Sequence, residues 1–333
     1  MFTRPDDLTD ADIVQCLAAG WGVMVSSAEW VPLGFGSHHW RVTEAGRRWF
    51  VTVDDLDARR RDESETRADA SRRLSTALTV ARSFRDAGLD FVVAPTATLS
   101  GDIVHSISDR FVAALYEYVD GESNAWSPYP SRADRLAVLD RIVAVHGSSA
   151  TISASPLRDD FAIPSRDQLA VALAATDEHW GPGPHADDAR ALLVVHGDAL
   201  RRVLARYDDL AADVVTRPER MVITHGEPHR GNTINTAHGV VLIDWDTALL
   251  APPERDLWML VDEDAQIAVD YTERTGVVLD DAAMQLYRLW WDLCEISLFT
   301  AEFRAPHVDN EDTRVAWAAL QRFLDPARWS DLF

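Results

Sequence analysis

The sequence predicts an α+β protein assembled from two unlike parts. Three observations carry that reading. Short apolar runs with glycine turns between them crowd the first third of the chain. Helical periodicity takes over from about residue 131. A hairpin with the turn "NTAHG" then interrupts the helices. With 333 residues, 47% of them hydrophobic, the chain can fill one large or two ordinary domains.

Thr9 or Asp10 can cap a first helix with Ile13, Val14, Leu17 and Ala18 on one face, closed at Gly20. Strands follow at "WVPL", "HHWRVT" and "RWFVTV", joined by "GFGSHH" and then by "EAGR". Residues 62–87 read as one amphipathic helix, with Leu74, Leu78, Ala81 and Phe84 inward and Gly88 as the stop. Further strands are expected at "FVVAPTATLS", "IVHSI" and "FVAALYEYV". After a hinge in "YEYVDGESNAWSPYP", helices are expected over 131–147 and 187–213, separated by "WGPGPH", with a last one at "MQLYRLWWDLCEISLFTAEFR".

A net charge of −22 argues against nucleic acid or an anionic membrane surface as the main partner and is compatible with a cationic ligand. All 32 basic residues are arginine; there is no lysine. Cys16 and Cys294 are too few for a disulfide framework, which points to a reducing cytosol. The opening "MFTRPDDLTD" lacks the basic and apolar regions of a signal peptide, and no window nears 18 uninterrupted apolar residues. The expectation is a cytoplasmic protein.

The densest polar stretch is "THGEPHRGNTINTAHGVVLIDWDTALLAPPERDLW", residues 224–258. Glu227 and Asn232 lie on a loop that Gly226, Pro228 and Gly231 keep from being helical. Asp244 ends an apolar strand that pairs back toward Asn232. Hard oxygen ligands beside a spare carboxylate suit Mg²⁺ and a general base, the apparatus of phosphoryl transfer. His225 and His229 are four apart, but the intervening Gly and Pro deny them a shared helical face, so they do not read as a zinc pair. "APPE" reads as the start of the next helix.

"HGEPHRGN", "VVLIDWD" and "PPERDLW" together resemble the aminoglycoside phosphotransferase and choline kinase superfamily, relatives of the protein kinases. The resemblance runs over nearly the whole chain and implies a bilobal protein-kinase-like fold: a small lobe at 1–115, a hinge at 116–126 and a larger, mainly helical lobe at 127–333. It implies Glu227 as the base, His225 as a support of the loop backbone, Asn232 and Asp244 as Mg²⁺ ligands, and Asp256 as a brace. "PLGFGSHHW" occupies the place of the nucleotide loop, so Gly34, Gly36, Ser37, His38 and His39 are expected to meet ATP or GTP, with the base bonded to the hinge between Tyr116 and Val119.

Two departures stand out. The base position holds Glu where the family has Asp, which displaces the carboxylate by about one bond length. The third strand should carry a lysine for the phosphates, yet Thr52 or a near neighbour stands there; His38, His39 and Arg41 are the nearest cationic candidates. By analogy with the family, Trp291, Asp292 and Glu295 are expected at the acceptor; Asp246, from the polar stretch, is placed with them, with a second metal neighbour and a solvated or capping role as its alternatives. Asp292 and Glu295, three apart, would share a helix face. The expected activity is phosphorylation of a hydroxyl on a small, cationic or sugar-bearing molecule, with an antibiotic as the leading acceptor. A metabolic kinase of a sugar, amino alcohol or nucleoside is the nearer rival. A non-catalytic nucleotide sensor is the other, and retention of Glu227, Asn232 and Asp244 together argues against it.

Overall fold

Thr9 begins the first helix, α1 (Asp10–Trp21), as half of a capping box with Asp12. Gly22, at φ 69°, ends it two residues beyond the expected stop. Gly20 stays inside the helix, where a Cβ would meet the His105 ring at 2.9 Å. The computed structural model describes residues 1–175 and 177–332.

Strands β1 (Glu29–Val31), β2 (Ser37–Glu44), β3 (Arg47–Asp55), β4 (His105–Ser106) and β5 (Phe111–Glu117) form an antiparallel sheet in the order β1-β2-β3-β5-β4. Alternation gives the sheet two characters. Trp40, Val42, Val51, Val53 and Leu115 pack with Ile13 and Leu17 of α1. The opposite face carries Ser37 and His39 in register with Asp54 and Thr52, and Ala114 and Tyr116 beyond them. Helix α2 (Arg67–Asp86) lies under that face, with Leu74 and Leu78 against Val112 and Ala114.

α2 starts later than expected because Thr66 is its N-cap, while Asp62 uses its carboxylate on the N–H groups of Ser64 and Glu65 in a turn. "FVVAPTATLS" is not a strand: it makes single bridges from Val92 to Leu242 and from Thr96 to Leu115. Pro95 has no N–H to continue a ladder, and the segment leaves the sheet to reach the second part.

After β5 the chain crosses to β6 (Glu122–Ser123), which pairs with β8 (Thr233–Thr236) instead of the first sheet; β8 forms the expected hairpin with β9 (Gly239–Leu242). A two-stranded ribbon joins β7 (Val222–Thr224) to β10 (Leu249–Ala251). Around these stand α3 (Arg132–Ser148), α4 (Arg166–Ala174), α5 (Ala186–Val214), α6 (Glu254–Glu263), α7 (Gln266–Thr275), α8 (Asp281–Arg304) and α9 (Glu311–Phe323). Periodicity did not resolve α4, α7 or α9. The main helical core sets Leu193, Leu200, Val203 and Tyr207 of α5 with Leu286, Tyr287, Leu293 and Ile296 of α8. Each such side chain contributes roughly 1.5–3 kcal/mol when buried.

A second core makes one body of the two parts. Phe84 of α2 and Val92 pack with Leu139, Ile142, Trp245 and Leu257. The lobes also meet where Phe2 and Thr3 donate backbone N–H to Asp312, at 2.7 and 2.8 Å, and where Ser165 N–H donates to Arg61 O at 2.6 Å. Among the described residues, no helix is long and apolar enough to cross a membrane.

Candidate active site

The loop after β7 is held from behind. Asp256, wholly buried near the start of α6, accepts the N–H groups of His225 at 2.9 Å and Gly226 at 2.6 Å. His146 Nε2 donates to the same carboxylate at 3.1 Å, and the other nitrogen of its ring meets the Tyr271 hydroxyl at 2.9 Å. Burial alone would raise Asp256; the hydrogen bond from His146 and the imidazoles around it hold its carboxyl below the usual range instead. Gly226 has φ 104°, and a Cβ there would lie 2.5 Å from the Arg255 guanidinium, so no larger residue fits.

His225 is fully buried, and its bonds define its tautomer. Nδ1 accepts the Glu227 N–H at 3.2 Å, so Nε2 carries the proton donated to Ile243 O at 2.8 Å. Burial lowers its pKa, in keeping with a neutral ring. The imidazole thus ties the loop bearing Glu227 to the strand leading to Asp244. Asn232 donates Nδ2–H to Glu227 O at 3.0 Å, and its own backbone carbonyl accepts the Ile243 N–H at 3.0 Å. Its Oδ1 is the side-chain atom left for a cation. The Glu227 side chain is a quarter exposed, with His229 Nε2 3.8 Å away.

Asp244 has φ 66°, a left-handed conformation that a non-glycine residue adopts only where its surroundings impose it. The Asp244 carboxyl is enclosed by the cleft walls while its surface stays open to the cleft. That enclosure, then the charges of Asp246 and Glu227, push it well above the ordinary carboxylate range. Arg59 faces Asp246, Asp54 and Asp244, three carboxyl groups against one guanidinium. Carboxyl and amide oxygens in excess of cations suit a hard dication such as Mg²⁺, and Asp244 and Asn232 are the residues that would hold one. Asp246, expected at the acceptor, is paired with Arg59.

On the sheet side, Gly34 and Gly36 have φ 67° and 84°, which makes "GFGS" a tight turn. Ser37 donates its hydroxyl to Asp54 at 2.8 Å. His39 stacks on Phe50, with centroids 5.1 Å apart, and its Nδ1 meets Leu33 O at 2.9 Å, so it supports the turn. His38 does not look into the cleft: the period of two puts it on the face of Trp40 and Val42. Burial lowers both imidazoles to about 4, so neither supplies a positive charge at neutral pH. Arg41 is spent on Glu29 at 3.3 Å. Tyr116 lies on the cleft face; burial and then the charges of Asp54, Asp244 and Asp246 raise its phenol well above normal. Val119 falls in the crossing segment before β6.

Beyond Glu227, indoles make a wall. Trp126, half exposed, stacks on Trp291 with centroids 5.4 Å apart and lies 3.9 Å from the His229 ring; Trp258 backs Trp291 at 6.3 Å. Glu295 joins this region, raised to about 7 by burial and then by Glu227. Asp292 does not: it is buried, bonded to Arg328 Nε at 3.0 Å and Trp329 Nε1 at 3.1 Å, and pins the C-terminal turn. A spacing of three on a helix still splays side chains by tens of degrees, enough to send one to each side of α8. Trp126, Trp258, Asp54 and Arg59 were not foreseen. Trp126 and Arg59 lie in loops and Asp54 near the end of β3, where no periodicity marks them, and Trp258 sits among the buried residues of α6, where it reads as core.

A five-stranded sheet joined to a larger helical part, with this carboxylate loop between them, defines a small-molecule kinase. The chain belongs to the phosphotransferase enzyme family, whose model matches residues 29–293. Protein StrN of Streptomyces griseus is 29% identical over 312 residues, covering 90% of this chain and 87% of that one. A spectinomycin phosphotransferase, APH(9)-Ia, solved with ADP and spectinomycin, superposes with a TM-score of 0.72 over 96% of both chains at 15% identity. A microcompartment-associated aminopropanol kinase gives 0.60 at 16% identity, over 96% of this chain and 97% of that one. At such identities the two structures share the fold.

Proposed function

We propose that this phosphotransferase moves the γ-phosphoryl group of ATP or GTP to a hydroxyl of a small amine-bearing molecule, with an antibiotic of the aminoglycoside or nucleoside type as the leading acceptor. The observation that supports the reading is that Asn232 and Asp244 flank one hairpin, with Glu227 tied to Asn232 by a hydrogen bond, near an indole wall whose Trp291 shares a helix with Glu295. In the step, the acceptor oxygen bonds to the γ-phosphorus and the bond from that phosphorus to the β–γ bridging oxygen breaks, its electron pair leaving with the nucleoside diphosphate. The hydroxyl proton passes to the Glu227 carboxylate. A bound Mg²⁺ would neutralise phosphate charge in that event. His225 and Asp256 keep the Glu227 backbone still, and the indoles and Glu295 orient the acceptor through stacking and charge.

The test is transfer of label from [γ-³²P]ATP and [γ-³²P]GTP to a panel of aminocyclitols, aminoglycosides, nucleoside antibiotics, amino alcohols and neutral sugars. Label on an amine-bearing antibiotic supports the reading in full. Label on an amino alcohol alone assigns a metabolic kinase, label on neutral sugars alone rejects the amine, and nucleotide binding without transfer to any acceptor leaves a sensor.

A further inference from the structure

The phosphate cation that the third strand lacks has a candidate that no motif marks. Arg59 lies in the loop between β3 and α2. Its Nε and Nη2 donate to Asp54 Oδ1 at 2.9 and 2.6 Å, Nη2 also reaches Ser37 Oγ at 3.1 Å, and Nη1 pairs with Asp246. A Cβ on Gly36 would stand 3.6 Å from Nη2. The guanidinium therefore lies between the glycine turn on one side and the Asp244–Asp246 pair on the other. Its two neighbours turn elsewhere: Arg60 to the carbonyls of Glu63 and Glu65, Arg61 to Asp160.

We infer that Arg59 is the residue that grips the nucleotide phosphates, with Asp54 and Arg73 as the residues that position it. The inference rests on the nucleotide-dependent reading above. The geometry explains how a chain without lysine manages. Thr52, in register with His39 and Ala114, brings no cation to the cleft face and bonds to the Tyr116 hydroxyl. α2 contains no glutamate to pair with a strand lysine; its Arg73 instead donates to the Arg59 carbonyl at 2.6 Å and is clamped by Glu65 at 2.9 Å. The helix thus holds the loop backbone, and the loop presents the charge. Burial works against that charge, but Asp246, Asp54 and Asp244 more than offset it, so the guanidinium is cationic at any working pH. Its planar fork suits phosphate oxygens, and Asp54 keeps one edge fixed while Nη1 can exchange Asp246 for a phosphate.

Calorimetry on the full chain with adenosine, AMP, ADP and ATP, and with the guanosine series, with and without Mg²⁺, tests this. The variants are Arg59→Gln, Arg59→Lys and the pair Arg59→Gln/Asp54→Asn, which leaves no unpaired buried carboxylate on β3. ATP or GTP should bind about 10–100-fold more weakly to both glutamine variants, the nucleoside within about twofold of wild type, with partial recovery in Arg59→Lys. Equal triphosphate affinity in wild type and the double variant overturns the assignment. So does an equal loss for nucleoside and triphosphate, which would make Arg59 only a brace. A wild-type chain that binds none of these ligands refutes the nucleotide-dependent reading itself.

Discussion

On the helical side of the cleft, Glu227, Asn232 and Asp244 are carried by one loop and one hairpin, and their nearest support is local too: His225 bonds to Glu227 and Ile243 within the same stretch, with Asp256 and His146 behind it. On the sheet side, the charged group comes from a loop outside the strand, and what holds it is spread over β2, β3, α2 and the segment after Asp244. In the proposed function the first arrangement must keep a proton acceptor and a metal site in register with the reacting atoms, where an ångström costs much rate. The second has only to put positive charge near a diffuse, highly charged group, and Coulomb attraction tolerates many routes to that end. Geometry-limited chemistry keeps its motif together, while charge-limited binding can be rebuilt from a different element.

The largest expected effect attacks the geometry-limited side. Asp244→Ala should abolish turnover, a loss of about 10⁴-fold or more, while the thermal melt stays cooperative, because the residue faces the cleft and not a core. Retained activity with any divalent ion would remove Asp244 from the metal site. Glu227→Gln keeps the shape and deletes the proton acceptor, so kcat should fall by about 10²–10⁴-fold with KM little changed. A change confined to KM would turn Glu227 into a binding group and erase the contrast between the two sides.

A middle-sized effect concerns the brace. Asp256→Ala strands two buried N–H groups and His146, and should cost about 3 kcal/mol in a denaturant titration. The Asp256 carboxyl is depressed from an ordinary 3.8, so its contribution is fully present above that pH and is lost as acid takes the solution through the lower folded value. A variant without this acid-labile component, compared with wild type by melting across the acid range, measures it directly.

Smaller effects sharpen the acceptor wall. Glu295 is raised to about 7, with Glu227, Asp292 and Arg322 acting on it, so an amine meets a full negative charge above that pH and a neutral carboxyl below it. KM for an amine-bearing acceptor should rise several-fold from about pH 8 to pH 6, and Glu295→Gln should flatten the profile. A pH-independent KM would remove Glu295 from the pocket. Trp126→Ala should raise KM about 5–10-fold through lost stacking, with kcat nearly unchanged. Raising ionic strength should weaken the acceptor by no more than a few-fold, since charges at an open wall are screened over ~8–10 Å.

Much of this was legible without coordinates. β2 and β3 alternate, β5 is a continuous apolar run, α2, α3, α5 and α8 carry long apolar stripes, and the turns at "EAGR" and "NTAHG" announce themselves by residue type, so local pattern determined those elements. The hairpin that sets Asn232 beside the strand leading to Asp244 follows from the same local rules, and so does the loop that bears Glu227. Short helices such as α4 and α7 were not legible, because their stability comes from the surfaces they cover. Nor could the helix spacing of Asp292 and Glu295 say that one would turn to Arg328 and the other to the indoles. The role of Arg59 was hidden for the same reason in a sharper form. In "DDLDARRRDESE" three arginines are equivalent by composition, and only the tertiary contacts of Ser37, Asp54 and Asp246 single out one of them. A charge is chosen by the field it sits in, and that field is the sum of groups far apart in the chain, which no local pattern encodes.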